Sequence, residues 1–170
     1  MNIPRKSVSI KEAAEQVAVT ATGWVGQLPG HTERIIRGQT FQSNEEGDLE
    51  QIEVFPMTIS DAGKVIMTLH AFDPQTRSWG PVLSSSTVEL TASGCGRWIS
   101  FRMPELHLEK GKYYGFKLSS RSTCIGIGEA AGHEKQPPFN PGQEWEFSSE
   151  QDAGDCFSYF SLAYKVAIRA

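Results

Sequence analysis

Between Arg97 and Ser120 the chain reads RWISFRMPELHLEKGKYYGFKLSS, and its apolar residues recur at every second position. Ile99, Phe101 and Met103 alternate with Trp98, Ser100 and Arg102. After the polar break Glu109-Lys110-Gly111-Lys112, the residues Tyr114, Phe116 and Leu118 resume the same alternation. A period of two sends successive side chains to opposite sides of an extended backbone, so each segment reads as a strand with one buried face. Gly111 suits the break because it adopts dihedrals that other residues avoid. The expectation is strand, turn, strand in the middle of an antiparallel sheet with one wet face.

The pattern recurs along the chain. From Lys64 to Phe72, Val65, Met67, Leu69 and Ala71 oppose Ile66, Thr68, His70 and Phe72, which is apolar enough on both sides for a central strand between layers. Near the C-terminus Phe160, Leu162, Tyr164, Val166 and Ile168 share one side. Further strands are expected over 33–42, 48–57, 82–90, 123–128 and 144–147, with turns at 45–47, 73–80, 93–96 and 149–155. The longest irregular stretch is 129–142, held by Pro137, Pro138 and Pro141. About nine or ten short strands at this spacing make an all-β, two-sheet antiparallel sandwich. One segment departs from it. Ser9 and Glu12 form a capping box, and Ile10, Ala13, Ala14, Val17 and Ala18 fall on one helical face. This predicts a short helix ending near Val19, in an N-terminal segment 1–22 that precedes a single domain 23–170. So short a helix persists only when docked, on the domain or on a partner chain.

A net charge of -4 with no basic cluster beyond Arg5-Lys6 argues against a nucleic-acid surface. No apolar run approaches the ~20 residues of a spanning helix, and no signal-type apolar region opens the chain, so the expectation from the residues alone is a cytoplasmic protein or part of a larger one. Cys95, Cys124 and Cys156 form no metal-type spacing; free thiols are expected, with a Cys124–Cys156 disulfide left open.

Three groups of residues carry candidate chemistry. Glu129, His133 and Glu134, with Glu144 and Glu146 beyond them, could work as acid and base or hold a divalent ion; the competing reading is a solvated charged loop. Glu150, Asp152 and Asp155, or Glu45, Glu46 and Asp48, supply oxygens of the kind calcium prefers. Trp79, Trp145, Tyr113, Tyr159 and Phe139 offer flat surfaces on which the apolar faces of sugar rings pack. Trp79 leads them because Arg77, Ser78 and Gly80 around it are loop residues, although it could equally be a loop anchor. Trp24, Trp98 and Tyr164 read as core, and His70 as a structural histidine. No nucleophile elbow is present, and Gly126-x-Gly128 lacks the third glycine of a phosphate cradle.

From Gly38 onward the order of features is similar to a known family. Gly38-Gln39-Thr40-Phe41 is followed by Asp48-Leu49-x-x-Ile52, Pro81-Val82-Leu83-Ser84-Ser85-Ser86, Trp98-Ile99-Ser100-Phe101 and Leu108-Glu109-Lys110-Gly111-Lys112-Tyr113-Tyr114. Gly126-Ile127-Gly128, Gly142-Gln143-x-Trp145 and Asp155-Cys156-Phe157-x-x-Phe160 complete it. Over roughly residues 35–168 this resembles the jelly-roll β-sandwich modules appended to large secreted or cell-surface bacterial proteins, often beside glycan-active or adhesive domains. The resemblance implies a jelly roll, an extracellular or surface location, a structural calcium and no catalytic motif. Its motifs are turn glycines and core aromatics, which specify fold better than activity. Three functions follow as expectations. The first is a non-catalytic binding or accessory module, with carbohydrate as the ligand. The second is an assembly protein whose N-terminal helix contacts a protein partner, and the third a glycan or ester hydrolase using Glu129 and Glu144.

Overall fold

The computed structural model describes residues 9–103, 106–132 and 142–170, without the side chains of Gln151 and Asp152. His133, Glu134 and Phe139 therefore lie outside the described residues. The strands are β1 (Ile10–Gln16), β2 (Ala21–Gln27), β3 (Arg34–Gln42), β4 (Gly47–Val54), β5 (Pro56–Ile59), β6 (Gly63–Asp73), β7 (Ser78–Leu90) and β8 (Ile99–Arg102). They continue with β9 (His107–Leu108), β10 (Tyr113–Ser119), β11 (Cys124–Ala131), β12 (Glu144–Ser148), β13 (Gln151–Phe157), β14 (Phe160–Leu162) and β15 (Tyr164–Arg169). No α-helix occurs among the described residues, and so none is long and apolar enough to cross a membrane.

Every strand pair is antiparallel, and the strands form two sheets. The small sheet runs β1-β15-β4-β8, with β9 also on β4. The large one runs β14-β11-β2-β3-β10-β6-β7, with β5 on β11 and the β12–β13 pair on β3. Between the sheets lies a single apolar core. Leu49, Ile52, Phe101, Tyr164, Val166 and Ile168 come from the small sheet and meet Phe41, Val65, Met67, Leu69, Phe116 and Leu118 from the large one. Most of the period-two residues sit where alternation places them, but Ala71 and Phe160 lie outside this core, and the C-terminal run expected as one strand is divided between β14 in the large sheet and β15 in the small one.

Four expectations need correction. The N-terminal helix is a strand: β1 lies antiparallel on β15, with Ile10 opposite Arg169 and Gln16 opposite Tyr164. Ser9 caps no helix; its N–H and carbonyl pair with Ala170 instead. A bulge between Glu12 and Ala14 lets Ala13 and Ala14 both face inward, while Ile10 and Val17 are exposed. That bulge is why two adjacent alanines imitated a helical stripe. A helix of about ten residues is marginal in water, whereas the open edge of β15 offers a row of backbone partners.

The stretch Arg97–Ser120 is not a hairpin within one sheet either. Strand β8 pairs with β4 in the small sheet, and β10 lies between β3 and β6 in the large one. The segment crosses the core, delivering Phe101 and Met103 from one side and Tyr114, Phe116 and Leu118 from the other. Its turn is held by Gly111, at φ 84°, whose N–H reaches the Ser43 carbonyl at 2.8 Å. Two smaller differences concern boundaries. Residues 151–157 form strand β13 rather than an acidic turn, and Glu129–Ala131 belong to β11 rather than to the loop that follows.

Phe116 is fully buried against the Tyr164 ring, 5.7 Å between centroids at 62°. Because these rings join the two sheets, Phe116→Ala should lower unfolding free energy by about 3–5 kcal/mol. Urea denaturation measures it; a loss of under about 1 kcal/mol would be inconsistent with a core shared by both layers.

Candidate functional site

On β10 the residues Gly115, Lys117 and Ser119 alternate with the core residues Tyr114, Phe116 and Leu118, so they face away from the small sheet. Across the ladder Lys117 is opposite Gly38 on one side and Thr68 on the other, and Gly38 in turn is opposite Trp145. This outward face is not a plain wet surface. Two register shifts around His70 bend the β6–β7 ribbon and bring Trp79 down onto the sheet. A Cβ built on Gly115 would come 2.4 Å from the Trp79 ring and one on Gly38 3.1 Å from it, so the indole lies directly on glycine backbone.

Around Trp79 the rings of His70, Phe72, Trp145 and Phe147 stand edge-on at 5.5–5.9 Å, with interplanar angles of 72–88°. Such T-shaped contacts suit the aromatic quadrupole. Lys117 Nζ lies 4.1 Å from the Phe147 centroid and 4.9 Å from that of Trp79, a cation held against two ring faces. Burial lowers its pKa, and it makes no ion pair among the described residues. Arg77, at φ 57°, reaches from the β6–β7 hairpin to Gln143 Oε1 (3.2 Å) and Cys156 Sγ (3.4 Å) on the far side of the cluster. The sheet therefore coils until its hairpin tip meets the β12–β13 edge. At the open end Phe72, Asp73, Ser78, Trp79 and Gly80 line a shallow hollow of about 230 Å³. The indole N–H groups of Trp79 and Trp145 are buried without an acceptor.

His70 is structural, as its strand position suggested. Its Nδ1 lies 3.0 Å from the Gly80 carbonyl and its Nε2 2.8 Å from the Thr68 hydroxyl, and burial holds its pKa below the usual imidazole value.

A second constellation lies on the inward side, where β2 and β3 stay paired only through Gly26–Gln27 and Ile35–Arg34. There Arg37 Nη1 donates to Glu144 Oε2 at 2.9 Å, Arg37 Nε donates to the Trp24 carbonyl, and Arg37 Nη2 is 3.6 Å from Glu146. Glu144 is 1% exposed and Glu129 5%. With both ionised, Glu129 Oε2 and Glu144 Oε1 would have no donor; one proton between the two carboxyls supplies it. Burial first, and then the hydrogen bond to Glu129, push the Glu144 pKa up to about 9. The two candidate catalytic carboxylates are thus brought together, but inside the protein.

The other candidates lie apart. Tyr113 is half-buried at the start of β10, opposite Gln42. Tyr159 packs with Phe157 and Phe160 in a separate cluster. Glu150 sits exposed in the turn before β13, and Asp155 is on β13 opposite Glu146. Asp48 and Glu46 are engaged by the exposed His107, at 3.0 Å and 3.7 Å, and the Asp48 hydrogen bond raises the imidazole pKa. Among the described residues no three His, Cys, Asp or Glu side chains gather as metal ligands, and the side chain of Asp152, the third member of the set with Glu150 and Asp155, lies outside those described. Trp98 packs on Phe55 and under Lys165 on the small sheet, while Trp24 is 38% exposed rather than core. All three cysteines are free thiols. Phe72, Phe147, Lys117 and Arg37 were not singled out in the sequence, although glycines inside strands at 38 and 115 signal a close approach over the sheet. Comparison of the sequence with known protein families and with curated proteins finds no match.

The carboxyl pair makes a pH prediction. Glu144 is held protonated in the fold and ionises near its ordinary value of 4.5 when unfolded, so its contribution is complete below that pH and is lost as pH rises toward about 9. Between about pH 7.5 and 9, above the ordinary imidazole value so that His70 is neutral in both states, wild-type melting temperature should fall more steeply than that of Glu144→Gln. Parallel slopes in a thermal scan series would contradict the shared proton.

Proposed function

We propose that this chain is a non-catalytic, carbohydrate-binding module of jelly-roll type that holds its ligand on the outward face of the large sheet. The observation supporting this reading is Trp79, seated on Gly115 and Gly38 and bordering an open hollow with Phe72. Sugar rings present apolar C–H faces beside hydroxyls, and an aromatic wall with nearby polar groups matches both. Asp73 and Ser78 border the hollow and supply those groups. A rigid aromatic surface also loses little entropy on binding, which favours a preformed site.

The hydrolase reading is less well supported. Carboxyls that cleave a glycosidic bond must flank it, whereas Glu129 and Glu144 are buried, Glu144 being bonded to Arg37 and paired with Glu129. The assembly reading depended on an N-terminal helix, and that segment is an edge strand.

Affinity electrophoresis through gels carrying a panel of polysaccharides tests the proposal. At least one polymer should retard the protein, and Phe72→Ala should weaken retardation about tenfold while the melting curve confirms folding. Trp79→Phe, which keeps a ring on the glycines, should weaken it less. Migration unaffected by every polymer, or undiminished binding in folded Phe72→Ala, would overturn the assignment.

A further inference from the structure

Beyond the aromatic cluster, at the opposite end of the same face, lies a second and more enclosed hollow of about 310 Å³. Its floor is Ile36 and Ile66, and its walls include Ser119, Ser149, Arg34 and Arg121. Alternation places it in line with the cluster: Ser119, beside Ile66 across the ladder, follows Lys117 at the next outward position of β10. We infer that the ligand of this face is an anionic saccharide, with its carboxylate or sulfate held between Arg34 and Arg121. The inference rests on the carbohydrate-binding reading above and names the class of sugar.

Three observations carry it. Neither guanidinium makes an ion pair or a side-chain hydrogen bond among the described residues, and Arg34 is half-buried, so its charge sits in a cleft uncompensated. The nearest acidic neighbour in sequence, Glu33, accepts a hydrogen bond from the Ser148 hydroxyl, and Asp61, which shares an adjoining hollow with Arg121, forms no pair with it. The same holds along the face, because Lys117 is half-buried with only aromatic rings as partners.

The third observation is the distribution of charge. The chain carries a net -4, yet the outward positions of β3, β10 and β6 between Arg34 and Trp79 contain no carboxylate; Asp73 and Glu89 stand only at the rims. A one-sign face on a molecule of the opposite sign selects its ligand by charge. Arginine's planar fork matches a carboxylate or sulfate through two parallel hydrogen bonds, and Ser119 adds a hydroxyl from the cleft wall. Six residue steps along β10 lead from Tyr113 to Ser119, so about 20 Å of face joins the cationic cleft to the aromatic hollow. A charged sugar in the cleft and its neighbours on Lys117, Phe147 and Trp79 would occupy it together.

Matched polymers separate charge from sugar. Isothermal titration uses polygalacturonate against its fully methyl-esterified form, and dextran sulfate against dextran, with polyglutamate as an anion that is not a sugar. At least one acidic polysaccharide should bind about tenfold or more tighter than its neutral counterpart, with affinity falling as salt rises. Arg34→Gln with Arg121→Gln should reduce that binding on the order of 100-fold, since each removes a charge-assisted contact from a folded protein. Neutral members bound as tightly as acidic ones, or no loss in the double variant, would overturn the inference while leaving carbohydrate binding in place. No binding to any polysaccharide would overturn both, and polyglutamate bound as tightly as the acidic sugars would replace the saccharide with a general polyanion.

Discussion

The packing of Trp79 onto bare backbone at Gly115 and Gly38 is the contact on which the form of the molecule turns. A sandwich of two sheets ordinarily buries one face of each and leaves the other in water. Here the inward face of the large sheet makes the main core, and its own hairpin folds over part of the outward face to make a smaller one. Side chains at positions 38 and 115 would hold the indole off the sheet, and the Arg77 bridge to Gln143 and Cys156 would lose its span. The curvature and the aromatic surface are therefore one feature.

Where the sheet coils, its backbone ladder opens, and polar side chains fill the gap. Gln39 is fully buried; its Oε1 accepts from the Leu162 N–H while its Nε2 donates to the Thr40 carbonyl. Arg37 binds the Trp24 carbonyl as well as Glu144. An unpaired buried backbone group costs about 1–3 kcal/mol, so these side chains act as replacements for missing strand neighbours. The protonated carboxyl fits that role, because a second full negative charge beside Glu129 would have only one guanidinium to balance it. A perturbed charge arrangement marks function in many proteins; here the pair is deeply buried and bonded through Glu144 to Arg37, which also holds the Trp24 carbonyl.

Alternation placed Phe101, Phe116, Leu69 and Val166 in the core, because burial on one face acts on every second residue regardless of which strands pair. Pairing itself was less legible. The break at Glu109–Lys112 looks like a hairpin turn, yet a turn that switches sheets has the same local chemistry, and only long-range contacts between β8 and β4 distinguish them. Ala13 and Ala14 are compatible with helix or bulged strand, and the free edge of β15 decides. Trp79 was legible as a residue of interest, but its partners Phe147 and Lys117 come from strands far apart in sequence, so no local pattern unites them.

Mapping the ligand by two-dimensional amide NMR tests the central claim most directly, because it reports position without altering a side chain. On titration with an acidic oligosaccharide, the largest shifts should fall on outward positions of the large sheet, from Arg34 and Ile66 through Lys117 to Trp79. Shifts confined to the small sheet around Lys165 and Arg169, or spread evenly over the surface, would contradict it.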